Sequence, residues 1–577
     1  MKIIQNVKPK IINFNTMKSN RRIFLKTMGA GAAGLTLGTA TMSLAANASP
    51  SDKKEDDDQI LFIGDNIALA NTQYGKVRGY ILRGIHHFLG MPYGADTSGA
   101  NRFMPPQKPK PWTDVYPAIW WGNSSPMLID GMYKNKYGAF RDHWNYDDIS
   151  EDCLKINVFT SGYNDGKKRP VLVWMHGGGW LNGNAIEHDS YKGENLARLG
   201  DIVFCSMNHR LGPIGYSDLS AVGGEKYAAS GNVGVLDLVA ALEWVRDNIA
   251  NFGGDPDNVT IMGQSGGGAK VGTITAMPAA KGLVDKAVML SGATPKLMDK
   301  ELTKQVGAYI LKEAGLNASQ IDDLQKLSWQ KYYELAIIAA GKLIKDTGSH
   351  LESARRIFQP NIDGKYIPQH PYYPEAPATA AEIPMILCSG NNEDSPSWPD
   401  SSLETITFQG IKDELSKTYG VEKSGEIVDA YAKAFPAKKP VEIWSMVTTH
   451  RQKNIILADA KSKQTPPVFM AWYGWQAPLF DKRLRSFHTA DICQWFYNTD
   501  LMLSHTGGGA RPRALSKKMA GSLLQFMKTG DPNGGGLPQW PRYTSEKGEL
   551  MFLDDVCEVQ YDPDREARKS LPPYTGY

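Results

Sequence analysis

From residue 171 onward the chain alternates between two apolar patterns. Val171-Leu172-Val173-Trp174-Met175 is an unbroken apolar run of strand length, stopped by Gly177-Gly178-Gly179. Residues 201–207 form a second such run, and residues 258–262 a third that ends at Gly263. Residues 286–290, 384–388 and 468–472 read the same way. A strand buried on both faces is apolar continuously, whereas a strand with one wet face alternates. Between the second and third runs, Val235, Leu238, Val239, Leu242, Val245 and Ile249 recur at helical spacing and give one apolar face. Residues 300–359 and 516–528 also carry a helical pattern. Strands alternating with helices predict an α/β fold whose central, mostly parallel sheet is flanked by helices. Residues 132–147 are aromatic and mixed in charge, which suits a loop near a site entrance.

The first 59 residues follow neither pattern. Arg21-Arg22-Ile23-Phe24-Leu25-Lys26 precedes an uncharged stretch rich in Ala, Gly and Leu, and Ala46-Asn47-Ala48 offers small residues at signal-peptidase spacing. This arrangement resembles a twin-arginine export signal. Its many Gly, Ala and Thr residues make it too weakly hydrophobic for a preferred membrane anchor. The reading is therefore residues 1–48 as a cleaved export signal, 49–59 as an acidic linker and 60–577 as one domain. The twin-arginine machinery would be the partner during secretion, and the mature chain, with no stable membrane span, would be periplasmic or secreted. The leader also explains the charge. The whole chain is net +3, yet residues 1–48 hold seven Lys or Arg and no acid, which leaves 57 basic against 61 acidic residues, a net of −4. A mildly acidic body gives no reason to expect nucleic-acid binding.

Five cysteines, an odd number in a long chain, do not make a disulfide framework. Cys205 and Cys388 fall inside apolar strands and are expected as buried thiols; Cys153, Cys493 and Cys557 leave a pairing open. No Cys/His cluster has zinc-site spacing, and neither metal nor cofactor is expected.

The chemistry lies where strands stop. Gly263-Gln264-Ser265-Gly266-Gly267 is a G-x-S-x-G between a strand and a helix-compatible stretch, a context that forces a sharp turn and lifts the serine from the sheet edge. His176-Gly177-Gly178-Gly179-Trp180 follows another strand. Glycine there lets backbone N–H groups approach a developing oxyanion closely. The segment lacks the Lys-Ser/Thr of a P-loop and the spacing of a dinucleotide fingerprint.

With these motifs in view, the chain resembles the type B carboxylesterases, the family of carboxylesterases, cholinesterases and the inactive neuroligins. The resemblance runs from about residue 61 to 552. It includes Phe88-Leu89-Gly90-Met91-Pro92-Tyr93, Ser150-Glu151-Asp152-Cys153-Leu154, Asn208-His209-Arg210-Leu211-Gly212, Phe252-Gly253-Gly254-Asp255-Pro256 and Gly530-Asp531-Pro532-Asn533. It implies the α/β-hydrolase fold, Ser265 as nucleophile, and Gly178, Gly179 and Gly266 as oxyanion donors, where the family more often has Ala at the last position. A Pro-led strand followed by a carboxylate nine residues on points from Pro384 to Glu393 as the acid, with adjacent Asp394 as its rival. Phe487-His488-Thr489-Ala490-Asp491 matches the family's late histidine segment and makes His488 the base; the order Ser, Glu, His is the one this fold uses.

The expected activity is hydrolysis of a small-molecule carboxylic ester through an acyl-enzyme. A thioesterase, amidase or polyester hydrolase with the same three residues is the alternative. A non-catalytic, neuroligin-like binding protein is another, and would be expected to lack the serine or the histidine. Two departures bear on substrate. Ser125 stands where many relatives have a cysteine pairing with one near Cys153, and Gln264 replaces the glutamate that often precedes the serine. Both argue against a cationic, choline-like substrate.

Overall fold

A computed structural model describes residues 59–129, 136–146, 148–349, 351, 353–447, 449–574 and 576. The leader expected at 1–48 and nearly all of the expected linker lie outside the described residues.

Fifteen strands occur among these residues. In chain order they are β1 Leu61–Phe62, β2 Leu69–Thr72, β3 Gly75–Arg78, β4 Tyr80–Leu82, β5 Ile85–Pro92, β6 Tyr116–Pro117, β7 Lys155–Thr160 and β8 Arg169–Met175. Then follow β9 Val203–Met207, β10 Gly254–Gln264, β11 Lys286–Leu290, β12 Met385–Gly390, β13 Val468–Tyr473, β14 Glu549–Leu553 and β15 Glu558–Tyr561. Twelve form one sheet in the order β1-β4-β5-β7-β9-β8-β10-β11-β12-β13-β14-β15, while β2, β3 and β6 make a small second sheet. From β9 across to β14 every neighbouring pair is parallel, and the antiparallel pairs lie outside that run.

The unbroken apolar runs have a direct cause. Along β8, Val171, Val173 and Met175 enter one core while Leu172 and Trp174 enter the other. The same division separates Ala287 and Met289 from Val288 and Leu290 on β11, and Val468 and Met470 from Phe469 and Ala471 on β13. Register puts Ile261 opposite both Val173 and Ala287, and Met385 opposite Val468, so like-facing residues stack in rows across the sheet. Helices Val233–Asn248 and Ala510–Thr529 supply residues to opposite cores, the first to that of Val173 and the second to that of Trp174.

Arg210 and Asp237 form a fully buried pair, with Nη2 to Oδ1 at 2.6 Å and Nε to Oδ2 at 2.8 Å. Burial disfavours the Asp237 carboxylate and raises its pKa, and the Arg210 guanidinium opposes that shift only in part. The pair ties the start of the helix layer to the segment after β9.

The structure differs from the sequence pattern in three places. Residues 136–142, expected within a loop, form the helix Lys136–Asp142, while 132–135 and 147 lie outside the described residues. The helical stretch 300–359 is broken into Lys300–Thr303, Val306–Ala314, Trp329–Thr347 and two 3-10 turns, because Gly315 takes a left-handed cap and Ser328 starts a new helix. The segment 395–420, to which the apolar pattern assigns no element, contains the helix Phe408–Tyr419, capped by Thr407. All five cysteines are buried free thiols. Ser125 Oγ instead accepts a hydrogen bond from the Leu211 N–H at 3.0 Å. No single helix among the described residues is long and apolar enough to cross a membrane.

Candidate active site

The candidate residues gather at the carboxyl edge of the parallel run, where open α/β sheets place their ligand crevices. β10 ends at Gln264, and the next helix is Gly266–Thr275. Ser265 bridges them with φ 57° and ψ −123°, a strained conformation for a residue with a side chain. A Cβ on Gly263 would fall 2.3 Å from the Gly267 carbonyl carbon, and one on Gly267 would fall 2.0 Å from the Met175 oxygen. The turn is therefore too tight for anything larger on either side of the serine. Ser265 N–H donates to the Leu290 carbonyl at 2.8 Å, which anchors the turn to β11.

The glycine segment after β8 packs directly on this turn. Gly178 and Gly179 have φ of +79° and +64°, and a Cβ on Gly266 would sit 2.2 Å from the Gly179 oxygen and 2.4 Å from its nitrogen. As the first residue of its helix, Gly266 has an N–H with no intrahelical acceptor. The structure thus brings all three candidate donors to the serine.

Two loops carry the acid and base candidates. They are sewn together by His488 N–H to the Glu393 carbonyl at 2.9 Å and Asn392 N–H to Ser486 Oγ at 2.9 Å. Glu393 Oε2 lies 2.7 Å from His488 Nδ1, and its Oε1 accepts from the Gly390 N–H at 2.7 Å. Its side chain is 1% exposed. Burial works against the Glu393 carboxylate, but the His450 imidazole, the His488 hydrogen bond and the Ser291 hydroxyl outweigh it and hold the pKa down to about 2. Burial likewise works against the His488 imidazolium, and the hydrogen bond and charge of Glu393 reverse this, raising its pKa. Asp394 is exposed on the cavity wall and makes no hydrogen bond or ion pair with the ring, to which its charge adds a smaller upward pull.

The other ring nitrogen, His488 Nε2, meets the Gln264 amide nitrogen at 3.2 Å, and no hydrogen bond joins it to Ser265 Oγ. Donation by Gln264 requires an unprotonated Nε2. This is the tautomer that Glu393 selects by accepting at Nδ1. A general-base hydrogen bond of this kind often forms only when substrate is bound.

Sequence reasoning passed over two residues. Lys270, one turn into the helix after Ser265, is fully buried and donates to the carbonyls of His176 at 2.8 Å and Gly177 at 3.4 Å. It therefore pins the strand-end of the glycine segment, and burial pulls its pKa down to about 7. The signal was a lysine within an otherwise small and apolar helical run. His176 itself is fully buried, stacks on His209 with centroids 5.1 Å apart, and is held well below ordinary imidazole basicity by burial and by Lys270. The second omission, His450, has Nε2 3.7 Å from the same Glu393 oxygen. Glu393, His450 and His488 could between them ligate a metal ion, since their donor atoms lie within 4.8 Å of one another. Two of the three are already hydrogen-bonded to each other.

Ser265, Gly178, Gly179, Gly266 and His488 all line one cavity of about 850 Å³. A separate cavity of about 430 Å³, walled by Trp120, Trp121 and Trp144, contains none of them. A serine on a strained turn, glycine amides beside it and a carboxylate-paired histidine in one cavity constitute the equipment for acyl transfer.

Comparison with known proteins agrees. The model of the carboxylesterase family matches residues 67–568. Para-nitrobenzyl esterase of Bacillus subtilis (strain 168) is 32% identical over 513 residues, covering 88% of this chain and 99% of that protein. Among solved structures, an esterase from the anaerobe Clostridium hathewayi that can hydrolyse aliphatic aromatic polyesters aligns with a TM-score of 0.76 at 32% identity, over 88% of this chain and 98% of that one. A Geobacillus stearothermophilus carboxylesterase aligns with a TM-score of 0.71 at 29% identity, over 88% of this chain and all of the other. The fold is that of the α/β-hydrolases, the activity is carboxylic ester hydrolysis, and the chain belongs to the carboxylesterase family.

Proposed function

We propose that the protein is an exported serine esterase in which Ser265 is the nucleophile, His488 the base and Glu393 the acid that orients it. The observation that carries this reading is the 2.7 Å contact between Glu393 Oε2 and His488 Nδ1, in the cavity that Ser265 enters. His488 Nε2 exchanges its Gln264 contact for the Ser265 hydroxyl and takes its proton as Oγ bonds to the ester carbonyl carbon. The carbonyl oxygen becomes an oxyanion facing the N–H groups of Gly178, Gly179 and Gly266, each such donor being worth roughly 10²–10³ in rate. The C–O bond to the alcohol breaks, and the alcohol leaves with the proton from His488. Water, deprotonated by the same histidine, attacks the acyl-enzyme and releases the acid. Glu393 keeps the proton on Nδ1 throughout and stabilises the transient imidazolium.

Export rests on residues 1–48 alone, read as a twin-arginine leader, with a periplasmic or secreted product. Recovery of a mature chain beginning near residue 49 outside the cytoplasm supports it, and a cytoplasmic chain retaining Arg21 and Arg22 refutes it. For the chemistry, the test is a panel of p-nitrophenyl acyl esters with Ser265→Ala as control. The variant should remain folded and lose nearly all turnover; undiminished turnover would refute the nucleophile assignment.

A further inference from the structure

The cavity around Ser265 is lined by three cations, Arg355, Arg356 and Lys453, of which the last two are engaged in interactions of their own. Arg355 is the informative member. It is half-buried, its Nη2 donates to Asn182 Oδ1 at 3.3 Å, and its guanidinium also faces the buried Tyr333 phenol. No carboxylate among the described residues pairs with it. A half-buried guanidinium that meets an amide and a phenol but no carboxylate keeps its charge available to an incoming anion.

Its position relative to the chemistry is also fixed. Asn182, which accepts from Arg355, donates its own N–H to the Gly178 carbonyl at 3.1 Å. The guanidinium is therefore one residue removed from the glycine segment that faces Ser265. Trp180, Phe358, Tyr419 and Trp444 line the same cavity and offer flat apolar walls. A cavity of about 850 Å³ holds an ester of an aromatic acid with room for its alcohol.

We infer that the preferred substrates are anionic half-esters of dicarboxylic acids, in which one carboxyl group is esterified and presented to Ser265 while the other, free, is received by Arg355. This rests on the assignment of Ser265 as nucleophile. Guanidinium and carboxylate match as a planar, two-bond pair, and the aromatic walls take the spacer that separates the two ends. Hydrolysis by water then yields a dicarboxylate and an alcohol. The class of reaction that supplies such a substrate is partial hydrolysis of a diester or polyester.

The experiment compares monobutyl terephthalate with its neutral isostere, butyl 4-carbamoylbenzoate, on the mature enzyme, with p-nitrophenyl acetate as reference. At low ionic strength kcat/KM should favour the carboxylate by about tenfold or more, and about 0.5 M NaCl should shrink that ratio by screening. Arg355→Gln should bring the ratio to within about threefold of unity, while Arg355→Lys keeps an intermediate preference. Should Arg355→Gln fail to fold, the salt dependence of the wild-type ratio still decides. Equal or faster turnover of the carbamoyl ester, a ratio indifferent to salt, or a preference surviving in folded Arg355→Gln overturns the inference. Loss of p-nitrophenyl acetate hydrolysis in Ser265→Ala shows that the nucleophile assignment stands whichever way that comparison falls.

Discussion

Glu393→Gln isolates what the buried carboxylate does, because the amide keeps its size and nearly its shape. Each Glu393 oxygen is held by a hydrogen bond, Oε1 by Gly390 N–H and Oε2 by His488 Nδ1, with the Ser291 hydroxyl beside them. Glutamine has a single oxygen. If that oxygen faces Gly390, the NH₂ group faces Nδ1, drives the imidazole proton to Nε2 and leaves no base for Ser265. If it faces His488, two donors oppose each other at Gly390 in a site with 1% exposure, and the imidazolium loses its counter-charge. The charge alone can be sized. A carboxylate held at about 2, against an ordinary glutamate near 4.3, is favoured by about 3 kcal/mol, or roughly 10² in rate if that stabilisation is felt in the transition state. Loss of tautomer control can bring the total to about 10⁴. Steady-state hydrolysis of p-nitrophenyl esters should therefore show kcat reduced between about 10²- and 10⁴-fold, with Asp394→Asn within about threefold of wild type. A fall below about tenfold for Glu393→Gln, or a larger loss for Asp394→Asn, refutes the argument.

Three further outcomes follow from the same geometry. Gly267→Ala places a Cβ 2.0 Å from the Met175 oxygen; it should push the nucleophile turn away from the strand end that leads into the glycine segment and lower kcat by about 10²-fold with KM little changed, and wild-type kcat in that variant would contradict the contact. Because the base must be neutral and Glu393 raises the pKa of His488, kcat/KM should fall as pH drops through a value above the ordinary imidazole 6.5, and Glu393→Gln should move that limb to lower pH; a limb at or below about 6.5 in wild type contradicts it. Asp237→Asn leaves the fully buried Arg210 charge unpaired and should cost about 3–5 kcal/mol, read as a loss of several degrees in thermal melting, with an unchanged Tm as the contrary result.

Sequence pattern and structure agree where a local cause produces the structure. β8, β11 and β13 bury both faces, and that requirement writes itself as unbroken apolar runs with edges good to a residue or two. The turn at Ser265 is legible for a similar reason, since the closeness of Gly267 to Met175 dictates glycine. The pairing of Glu393 with His488 has no local signature. Nothing in Asn392-Glu393-Asp394 distinguishes the two acids except Gly390 N–H and the loop that turns one inward and leaves the other on the cavity wall. Counting from Pro384 under the family resemblance reached Glu393; periodicity could not. The helix Phe408–Tyr419 and the contact of His450 with Glu393 escaped for the converse reason. Both depend on how the long segment between β12 and β13 packs, a long-range event that composition does not encode. Lys270 shows a third case: a charged residue in an apolar helix was visible, but its partners are backbone carbonyls of a segment about ninety residues earlier in the chain.

The most direct measurement is active-site labelling with a p-nitrophenyl dialkyl phosphate, which phosphorylates a serine nucleophile and releases one p-nitrophenol. One equivalent released per chain, with the added mass on the peptide carrying residue 265 and none in Ser265→Ala, is the predicted result. Labelling at another residue, or continued ester hydrolysis by a protein fully modified at Ser265, would contradict it.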